Sequence, residues 1–434
     1  MNSRSDAAPI GSLWAATATT LTPLPELDAP IRAEVAVIGG GYTGLSAALH
    51  LAEQGHDAAL IEARAIGEGA SGLNGGQVIA GVKFDPDELQ ERYGGELGAR
   101  TVATVGAAPE LVFELIAKHR IECDAVRNGW IQAGPSESDL GGMRSRVEQW
   151  RRRGADVALL DRAATAQLTG THSYRCAWID RRGGTLQPLS YARGLAQAAQ
   201  RAGSRLFSHS PATRLSRSGA DWHIETPRGS VTARMVVLAT DAYTDGLVDP
   251  LRRSLVMVPS FQVATTPLPP SLRVSILPQR HSVSDTGPLL RYFRLDAGGR
   301  LLMGSRGAFD RTANAESARH LHRAVWQMFP ALRDIGFEYH WSGLVAITAD
   351  RLPHLHRLAP GLLAGVGYNG RGVAMATTMG RLLAQLAAGA SDEALGFPIT
   401  ELRPMRLHRF ARLAARATMQ YLQVRDRIAR RRAA

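Results

Sequence analysis

Residues 33 to 61 carry a strand pattern, a glycine-rich turn, a helix pattern and a second strand pattern in close succession. Residues 33–38 (Ala-Glu-Val-Ala-Val-Ile) form the short apolar, β-branched run that is typical of a buried parallel strand. A helix is predicted from about Thr43 to Gln54, and Gly55 closes it. Residues 57–61 (Asp-Ala-Ala-Leu-Ile) predict the next strand. The order predicts a βαβ unit near the start of the chain.

The rest of the chain alternates between helical and strand-like stretches. Helices are predicted within 86–127, 140–153, 190–202, 317–329 and 373–388, and strands within 205–239, 256–304 and 361–366. Strand and helix patterns like those of the first unit return near 190–242 and 345–390. We therefore predict an α/β domain that is discontinuous in sequence. A second lobe of α+β type, built on a mixed sheet, is predicted to be inserted into it. The predicted parts are an N-terminal arm (1–32), the first domain (33–85, 190–250 and 345–392), a substrate or cap domain (86–189 and 251–344) and a helical basic tail (393–434).

Length and composition indicate an ordinary globular protein. A chain of 434 residues is too long for one hydrophobic core, since single cores stop growing at roughly 250–300 residues. No apolar run reaches the roughly 18 residues that a transmembrane helix needs, and the N-terminus has no secretory signal pattern. Two cysteines, Cys123 and Cys176, build neither a disulfide framework nor a metal cluster. We therefore expect a cytoplasmic protein without a metal site.

The formal net charge of +12 raises the question of an anionic partner. Only two of the 51 basic residues are lysines, Lys83 and Lys118, and such a bias toward arginine is typical of GC-rich codon usage. Five arginines lie close together in the tail, at Arg425, Arg427, Arg430, Arg431 and Arg432. Charge alone is a weak indicator of partners, so we do not expect a nucleic-acid partner, while steering of an anionic substrate stays possible.

The turn after the first strand has the spacing of a dinucleotide-binding loop. Gly39, Gly41 and Gly44 give G-x-G-x-x-G between a strand and a helix, and Glu62 ends the next strand about 20 residues later. In such a loop the first glycine permits the tight turn, the second lets the backbone approach a pyrophosphate, and the third lets helix and strand pack closely. The free N–H groups of the helix bind the phosphates, and Glu62 accepts hydrogen bonds from the ribose.

A second glycine-rich segment follows at once, Ala70-Ser71-Gly72-Leu73-Asn74-Gly75-Gly76. FAD is longer than NAD(P) and needs contacts beyond the first βαβ unit, so small residues here favour FAD. A flexible loop is the equally weighted alternative for this segment taken alone.

Three segments together resemble the D-amino-acid-oxidase type of FAD-dependent oxidoreductases, and within it the branch of gamma-glutamylputrescine oxidoreductases and related amine or imino-acid oxidases. They are residues 37–52 (with Gly-Gly-Gly-Tyr-Thr-Gly), 62–77 (with Ala-Ser-Gly-Leu-Asn-Gly-Gly-Gln) and 367–377 (with Gly-Tyr-Asn-Gly-Arg-Gly-Val). Weaker matches lie at 237–243, 299–304 and 341–350. The resemblance thus covers nearly the whole chain and implies a Rossmann-type FAD-binding domain.

The resemblance also implies which residues bind FAD. The pyrophosphate, the ribose and the adenine end would be held by the first glycine loop, Glu62, Arg64 and the backbone of Ala212 on the third strand, and Thr240 would mark the return of the chain to this domain. The segment from Ser71 to Gln77 and the loop from Gly367 would lie along the flavin, with the helix that begins near Gly372 directing its positive end at the ring. The predicted cofactor-binding residues are Gly39, Gly41, Tyr42, Thr43, Gly44, Glu62, Arg64, Ser71, Asn74, Gly75, Gly76, Gln77, Ala212, Thr240, Gly367, Asn369, Gly370, Arg371, Gly372 and Val373.

The FAD is expected to be noncovalent. Some relatives attach the flavin covalently to a cysteine or a histidine. This chain has no cysteine after Cys176, and Leu73 occupies one loop position where a linking histidine would otherwise lie. The family's reaction moves a hydride from the carbon beside an amine nitrogen to the flavin and leaves an imine.

Substrate contacts are predicted in the strand-like middle of the chain. Tyr292 and Arg294 share one strand face by alternation, and the arginine would clamp a substrate carboxylate. A solvated strand face is the equally weighted alternative. Trp341 and Tyr368 are candidate aromatic walls, although such residues more often belong to a core.

The electron acceptor and two rival functions stay open. In the sarcosine-oxidase branch a lysine over the flavin promotes reaction with O2, but neither Lys83 nor Lys118 lies in the later strand region. O2, a quinone and a carrier protein are therefore all possible acceptors. A tRNA-modifying FAD oxidoreductase and a non-catalytic FAD-bound scaffold are the alternative functions.

Overall fold

The computed structural model describes residues 11–306, 315–408, 410, 413–414, 417–422 and 424–425. Most of the predicted basic cluster, Arg427 to Arg432, lies outside the described residues, as do residues 1–10 of the predicted arm and 307–314 of the predicted cap. Within the predicted tail, described residues between 408 and 425 are helical.

The first sheet brings together strands from three separate stretches of the chain. β1 (Pro30–Ile38) pairs in parallel with β11 (Ser230–Leu238) and β2 (Ala58–Ile61). β2 pairs in parallel with β8 (Arg205–Phe207), and β18 (Leu362–Val366) continues the parallel set beyond β11. The predicted α/β fold class is confirmed, because this sheet is the parallel, helix-covered sheet that the first unit implied. In spatial order the strands are β17 (His354–Ala359), β18 (Leu362–Val366), β11 (Ser230–Leu238), β1 (Pro30–Ile38), β2 (Ala58–Ile61) and β8 (Arg205–Phe207), with β10 (Asp221–Glu225) and β9 (Arg214–Ser218) extending from β11.

Two apolar helices cover this sheet. Helix α2 (Tyr42–Glu53) and helix α12 (Gly372–Ala387) are buried along most of their length, and α2 packs against both α12 and α8 (Pro188–Arg201). The last four residues of β1, from Val35 to Ile38, are buried. Both α2 and α12 begin at the carboxyl edge of the parallel strands, where ligands bind in open α/β sheets.

The second sheet is mixed. Its strands are antiparallel except β13 (Ser282–Asp285) and β4 (Trp130–Gly134), which run parallel although they are far apart in sequence. The sequence predicted strands within 256–304 but not β16 (Phe337–Thr348), which pairs with β12 (Leu255–Thr265) along nearly its whole length. The predicted domain boundary at 345 falls inside β16. In spatial order the strands are β16 (Phe337–Thr348), β12 (Leu255–Thr265), β15 (Leu301–Arg306), β14 (Tyr292–Leu295), β13 (Ser282–Asp285), β4 (Trp130–Gly134), β6 (Cys176–Asp180) and β5 (Val157–Leu160).

Shorter elements connect and surround the two sheets. A small antiparallel pair is formed by β3 (Gln77–Val78) and β7 (Gly184–Thr185). The remaining helices are α3 (Ala70–Leu73), α4 (Pro86–Tyr93), α5 (Gly95–His119), α6 (Asp139–Arg151), α7 (Arg162–Thr169), α9 (Asp249–Arg252), α10 (Pro270–Arg273) and α11 (Ala315–Met328), with 3-10 turns at Asp241–Tyr243, Gly246–Val248, Pro330–Leu332 and Asp392–Ala394. Among the described residues, no helix is long and apolar enough to cross a membrane.

The predicted irregular arm contains one short helix, α1 (Leu13–Thr17), which is a correction to the sequence analysis. Ser12 caps it by accepting a hydrogen bond from the N–H of Ala15 at 3.0 Å. Trp14 is fully buried, and its indole N–H donates to the carbonyl of Asn74 at 2.7 Å. The helix is too short to show a period in the sequence, and Trp14 anchors it from a distance of 60 residues along the chain.

Candidate functional site

A cavity of about 390 Å³ opens between the carboxyl edge of the first sheet and the face of the second. The glycine turn after β1, the end of β2 and the start of α12 contribute one wall. Side chains of β4, β12, β13, β14 and β15 contribute the other. This volume lies in the range of small-molecule and cofactor sites, which is roughly 300–1,000 Å³.

The glycine turn has the geometry that its spacing predicted. Gly39 lies at φ +113°, and a Cβ there would come within 2.9 Å of the carbonyl of Ala239 on the neighbouring chain segment. A Cβ on Gly44 would lie 1.9 Å from the carbonyl oxygen of Gly39, so the third glycine lets α2 pack against the turn. Gly41 is the N-cap of α2, and Gly41, Tyr42 and Thr43 line the cavity, so the positive end of the helix faces it. The N–H of Tyr42 donates to the Ser71 hydroxyl at 3.0 Å.

Glu62 lies at the end of β2 beside this turn. Its two carboxylate oxygens accept hydrogen bonds from the backbone N–H groups of Gly40 at 2.5 Å and Arg64 at 2.9 Å, which fixes the carboxylate at the cavity wall. The Arg64 guanidinium lies over the ring of Tyr243, 5.4 Å from its centroid. Ala212 also lines the cavity, but it lies in the loop between β8 and β9 rather than on the third strand, which corrects that part of the prediction.

The segment after α3 is ordered by Asn74. The Asn74 side chain donates to the hydroxyl of Tyr42 at 3.2 Å and to the carbonyl of Ser71 at 2.8 Å, and its Oδ1 accepts from the N–H of Gly76 at 2.8 Å. Ser71, Asn74, Gly75 and Gln77 line the cavity, whereas Gly76 does not. The segment is therefore a hydrogen-bonded wall and not a loose loop.

The loop before α12 forms the third part of the cofactor wall. The N–H of Gly367 donates to the carboxylate of Asp241 at 2.7 Å, and burial raises the pKa of Asp241 to about 6. The Asn369 side chain accepts from the N–H of Thr348 at 3.1 Å, which ties the loop to the end of β16. The residues from Asn369 to Val373 line the cavity, but Gly367 does not. As predicted, α12 begins at Gly372, and its positive end faces the cavity.

The four predicted substrate residues separate into two pairs. Tyr292 and Tyr368 line the cavity; Arg294 and Trp341 do not. Arg294 is 1% exposed and donates from Nη1 to the carbonyls of Gly76 at 2.9 Å and Leu186 at 2.6 Å. The structure thus places Arg294 where it supports the wall segment and not where it would clamp a carboxylate.

Trp341 supports the same segment. Its indole N–H donates to the carbonyl of Leu73 at 3.2 Å, and its ring packs edge-on against Trp14 with centroids 5.9 Å apart. Tyr368 lines the cavity, while its hydroxyl is bonded to Thr43 at 2.5 Å and donates to the carbonyl of Gly365 at 3.1 Å. The Tyr292 hydroxyl is bonded to Ser260 at 2.9 Å, and burial raises the pKa of Tyr292 to about 12.

Several polar lining residues were missed by the sequence analysis. All of them except Lys83 lie on strands of the second sheet. The amide oxygen of Gln262 has no hydrogen-bond partner among the described residues. The sequence analysis placed Lys83 only by its position in the chain. Because Lys83 is one of two lysines among 51 basic residues, that rarity could have indicated a special position. The missed residues are Lys83, Trp130, Gln132, Ser260, Gln262, Ser284 and Arg306.

The residues present fit FAD. Gly39, Gly40 and Gly41 line the cavity with backbone alone, which lets a pyrophosphate approach the turn closely. Two helix N-termini face the cavity, and hydrogen bonds hold the Glu62 carboxylate at its wall, where it can accept from ribose hydroxyls. Among the described residues, neither cysteine nor histidine lines the cavity, and Cys123 and Cys176 are buried elsewhere as free thiols. Noncovalent attachment of the FAD stays a prediction.

Comparison with known proteins agrees with this assignment. The family model described as "FAD dependent oxidoreductase" (DAO) matches residues 34–386. Gamma-glutamylputrescine oxidoreductase of Escherichia coli is 33% identical over 88% of this chain and 89% of its own length. The probable oxidoreductase OrdL of Rhizobium meliloti is 34% identical over 91% of this chain and 92% of its own. The crystal structure of glycine oxidase from Geobacillus kaustophilus matches with a TM-score of 0.71 at 24% identity, covering 86% of this chain and 99% of that chain, which is a likeness of fold.

Proposed function

Because the chain belongs to the DAO family of FAD-dependent oxidoreductases and so acts on amines or amino acids, we propose that its substrate is a gamma-glutamyl amine or a cyclic imino acid. The family match confirms the resemblance inferred from the three motifs, and with it FAD as the cofactor. In the proposed reaction the C–N bond of the substrate is oxidised to an imine, which water then hydrolyses.

The observation that carries the proposal is that one cavity joins the cofactor wall to the polar face of the second sheet. When bound, FAD supplies the two-electron acceptor for the hydride of the substrate carbon. The protein's part is to hold that carbon in reach and to exclude water. The cavity suits this part because it is enclosed by side chains from both sheets.

The second sheet offers groups that fit a polar amine substrate. The free amide oxygen of Gln262 is an acceptor for the N–H of an amine, and the side chain is fixed by a hydrogen bond from its amide nitrogen to the carbonyl of Leu73 at 2.6 Å. The Tyr292 hydroxyl, held by Ser260, lines the same cavity. We assign these two side chains to orientation of the substrate, and we place the reaction in the cytoplasm.

An anaerobic panel tests the proposal. The holoprotein is mixed without oxygen with gamma-glutamyl amines, polyamines, cyclic imino acids and D- and L-amino acids, and the visible flavin spectrum is followed. Bleaching by a gamma-glutamyl amine or a cyclic imino acid is the expected result. Readmitted air then distinguishes O2 from another acceptor by whether the flavin colour returns. A flavin that every compound leaves oxidised contradicts the proposal and favours the scaffold alternative.

A further inference from the structure

Exposed hydrophobic side chains are concentrated in the C-terminal tail. Within the described ranges, six large hydrophobic side chains are exposed, and Val274 is the one that lies elsewhere. Single exposures are normal for a globular protein, whereas a concentration of them in one short segment indicates an interaction surface. The family match ends at residue 386, so this segment lies beyond the region that the chain shares with the family. The five tail residues are Leu407, Phe410, Leu413, Tyr421 and Val424, with exposed fractions between 47% and 67%.

One side of the tail helix carries the exposed side chains. The tail starts attached to the rest of the chain, since the N–H of Met405 donates to the carbonyl of Arg253 at 2.9 Å. Met419 is 8% exposed, whereas Tyr421, two positions later and therefore on the opposite side of the helix, is 61% exposed. The exposed helical positions are separated by three, eight and three residues, spacings at which residues of a helix share one side. We call them the tail face: Phe410, Leu413, Tyr421 and Val424.

The tail is also strongly basic. Residues 401–434 contain ten arginines and only two carboxylates, which leaves +8 of the chain's formal net charge of +12 in this segment. The described arginines of the tail, Arg403, Arg406 and Arg425, are all exposed. The Arg425 guanidinium lies 6.0 Å from the centroid of the Tyr421 ring, beside the tail face. Apolar and cationic groups are therefore presented together on one short segment.

This combination favours a membrane surface over other partners. A helix in a membrane interface buries its apolar side at the boundary of headgroups and acyl chains, while its basic residues contact anionic headgroups. An RNA would use the arginines, but the aliphatic side chains of Leu413 and Val424 offer its bases no surface for stacking. A second copy of this chain bound through the same face would bring two segments of charge +8 together, and these repel each other.

We propose that the tail face and the exposed arginines beside it bind the anionic surface of a lipid bilayer and hold the protein there as a peripheral membrane protein. The charges attract the tail to the headgroups, and the tail face then enters the interface, where its contact is insensitive to salt. Within the described part of the chain, no tail residue lines the cavity between the two sheets. Membrane binding is therefore separable from the proposed oxidation of amines.

Vesicle co-sedimentation of the full-chain holoprotein tests the proposal without any substrate. The probe is a vesicle of phosphatidylcholine and phosphatidylglycerol, and a vesicle of phosphatidylcholine alone is its uncharged control. We expect binding to the anionic vesicles and much weaker binding to the control. Binding should decrease as salt rises, because the reach of surface charge shrinks from about 10 Å at 0.1 M to about 3 Å at 1 M.

One pair of substitutions tests the apolar contact. Leu413→Gln combined with Val424→Gln removes two apolar side chains and keeps good helix formers in place. We expect binding to the anionic vesicles to weaken about 10- to 100-fold. Val274→Gln is the matched control, because Val274 is 73% exposed at the end of α10 and lies outside the tail. All of these positions are exposed, so each variant should melt at the wild-type temperature, which checks that it is folded.

A second pair tests the charges. Arg406→Gln combined with Arg425→Gln is expected to weaken binding about 10- to 30-fold and to reduce its salt dependence. Arg162→Gln combined with Arg333→Gln removes the same charge from two exposed positions outside the tail and is expected to change binding little.

Several outcomes would overturn the proposal. They are equal binding to both kinds of vesicle, no binding to either, or a loss in the control variants as large as in the tail variants. Binding of a labelled single-stranded RNA without binding of vesicles would assign the tail to RNA instead. A dimer that the tail variants dissociate, again without vesicle binding, would assign the tail face to a second copy of this chain.

Discussion

Replacement of Gly44 by alanine is expected to weaken FAD binding through sterics alone. A Cβ at this position would lie 1.9 Å from the carbonyl oxygen of Gly39, whereas ordinary contacts begin at 3.4 Å. Helix α2 would have to retreat by roughly 1.5 Å, the difference between those two distances, and its N-terminal N–H groups would retreat with it. Overpacking of this kind costs about 1–3 kcal/mol.

If that cost falls on the turn that holds the cofactor, the dissociation constant for FAD rises about 5- to 150-fold, since each 1.4 kcal/mol is a factor of ten. The assay is titration of the apoprotein with FAD, followed by flavin fluorescence, with a thermal melt of each holoprotein. Gly141→Ala is the matched control, because Gly141 lies in α6 and a Cβ added there would meet nothing within 4 Å. That control is expected to bind FAD normally and to gain about 0.5–1 kcal/mol of stability. If Gly44→Ala binds FAD with wild-type affinity, the steric role of Gly44 in the turn is wrong.

Three further changes test individual side chains. Arg294→Met leaves the carbonyl of Leu186 without its donor and removes one of the two donors of the Gly76 carbonyl, which keeps the N–H of Leu186. The free energy of unfolding should therefore fall by about 1–3 kcal/mol, measured by thermal or denaturant unfolding; a selective loss of substrate affinity at unchanged stability would argue for a substrate clamp instead. Tyr292→Phe removes the hydrogen bond to Ser260 and should raise the Michaelis constant about 2- to 10-fold while FAD affinity stays constant; a parallel loss of FAD would contradict this. Burial raises the pKa of Asp241 from 3.8 to about 6, so the wild type loses stability as pH rises through that interval. Asp241→Asn should therefore melt higher than the wild type at about pH 8 but not at about pH 4, and equal differences at both would exclude this titration.

The cofactor wall was predictable because its signals are local. The strand, turn and helix around Gly39 to Gly44 are contiguous, and each glycine is required by a contact within the unit or with the strand beside it. The start of α12 was likewise predictable, because the loop from Gly367 and the apolar run after Gly372 are adjacent in sequence. In both places, the glycine loop and the N-terminus of the helix that follows it lie within one short segment of the sequence.

The substrate side was not predictable in the same way, because its residues meet only through long-range pairing. β4 and β13 run parallel although about 150 residues separate them, so Trp130 faces the same cavity as Ser284 only in the folded chain. Strand alternation predicted one shared strand face for Tyr292 and Arg294, and both lie in β14. Alternation gave no information on the carbonyls of Gly76 and Leu186, which accept hydrogen bonds from the arginine.

We propose that this cavity holds FAD and an amine together and that the amine is oxidised there. The most direct measurement is an anaerobic titration of the holoprotein with a gamma-glutamyl amine, in which the bleached flavin and the carbonyl product are both quantified. One carbonyl product, formed by hydrolysis of the imine, is expected for each flavin reduced. A flavin that stays oxidised, or one that bleaches without a carbonyl product, would contradict it.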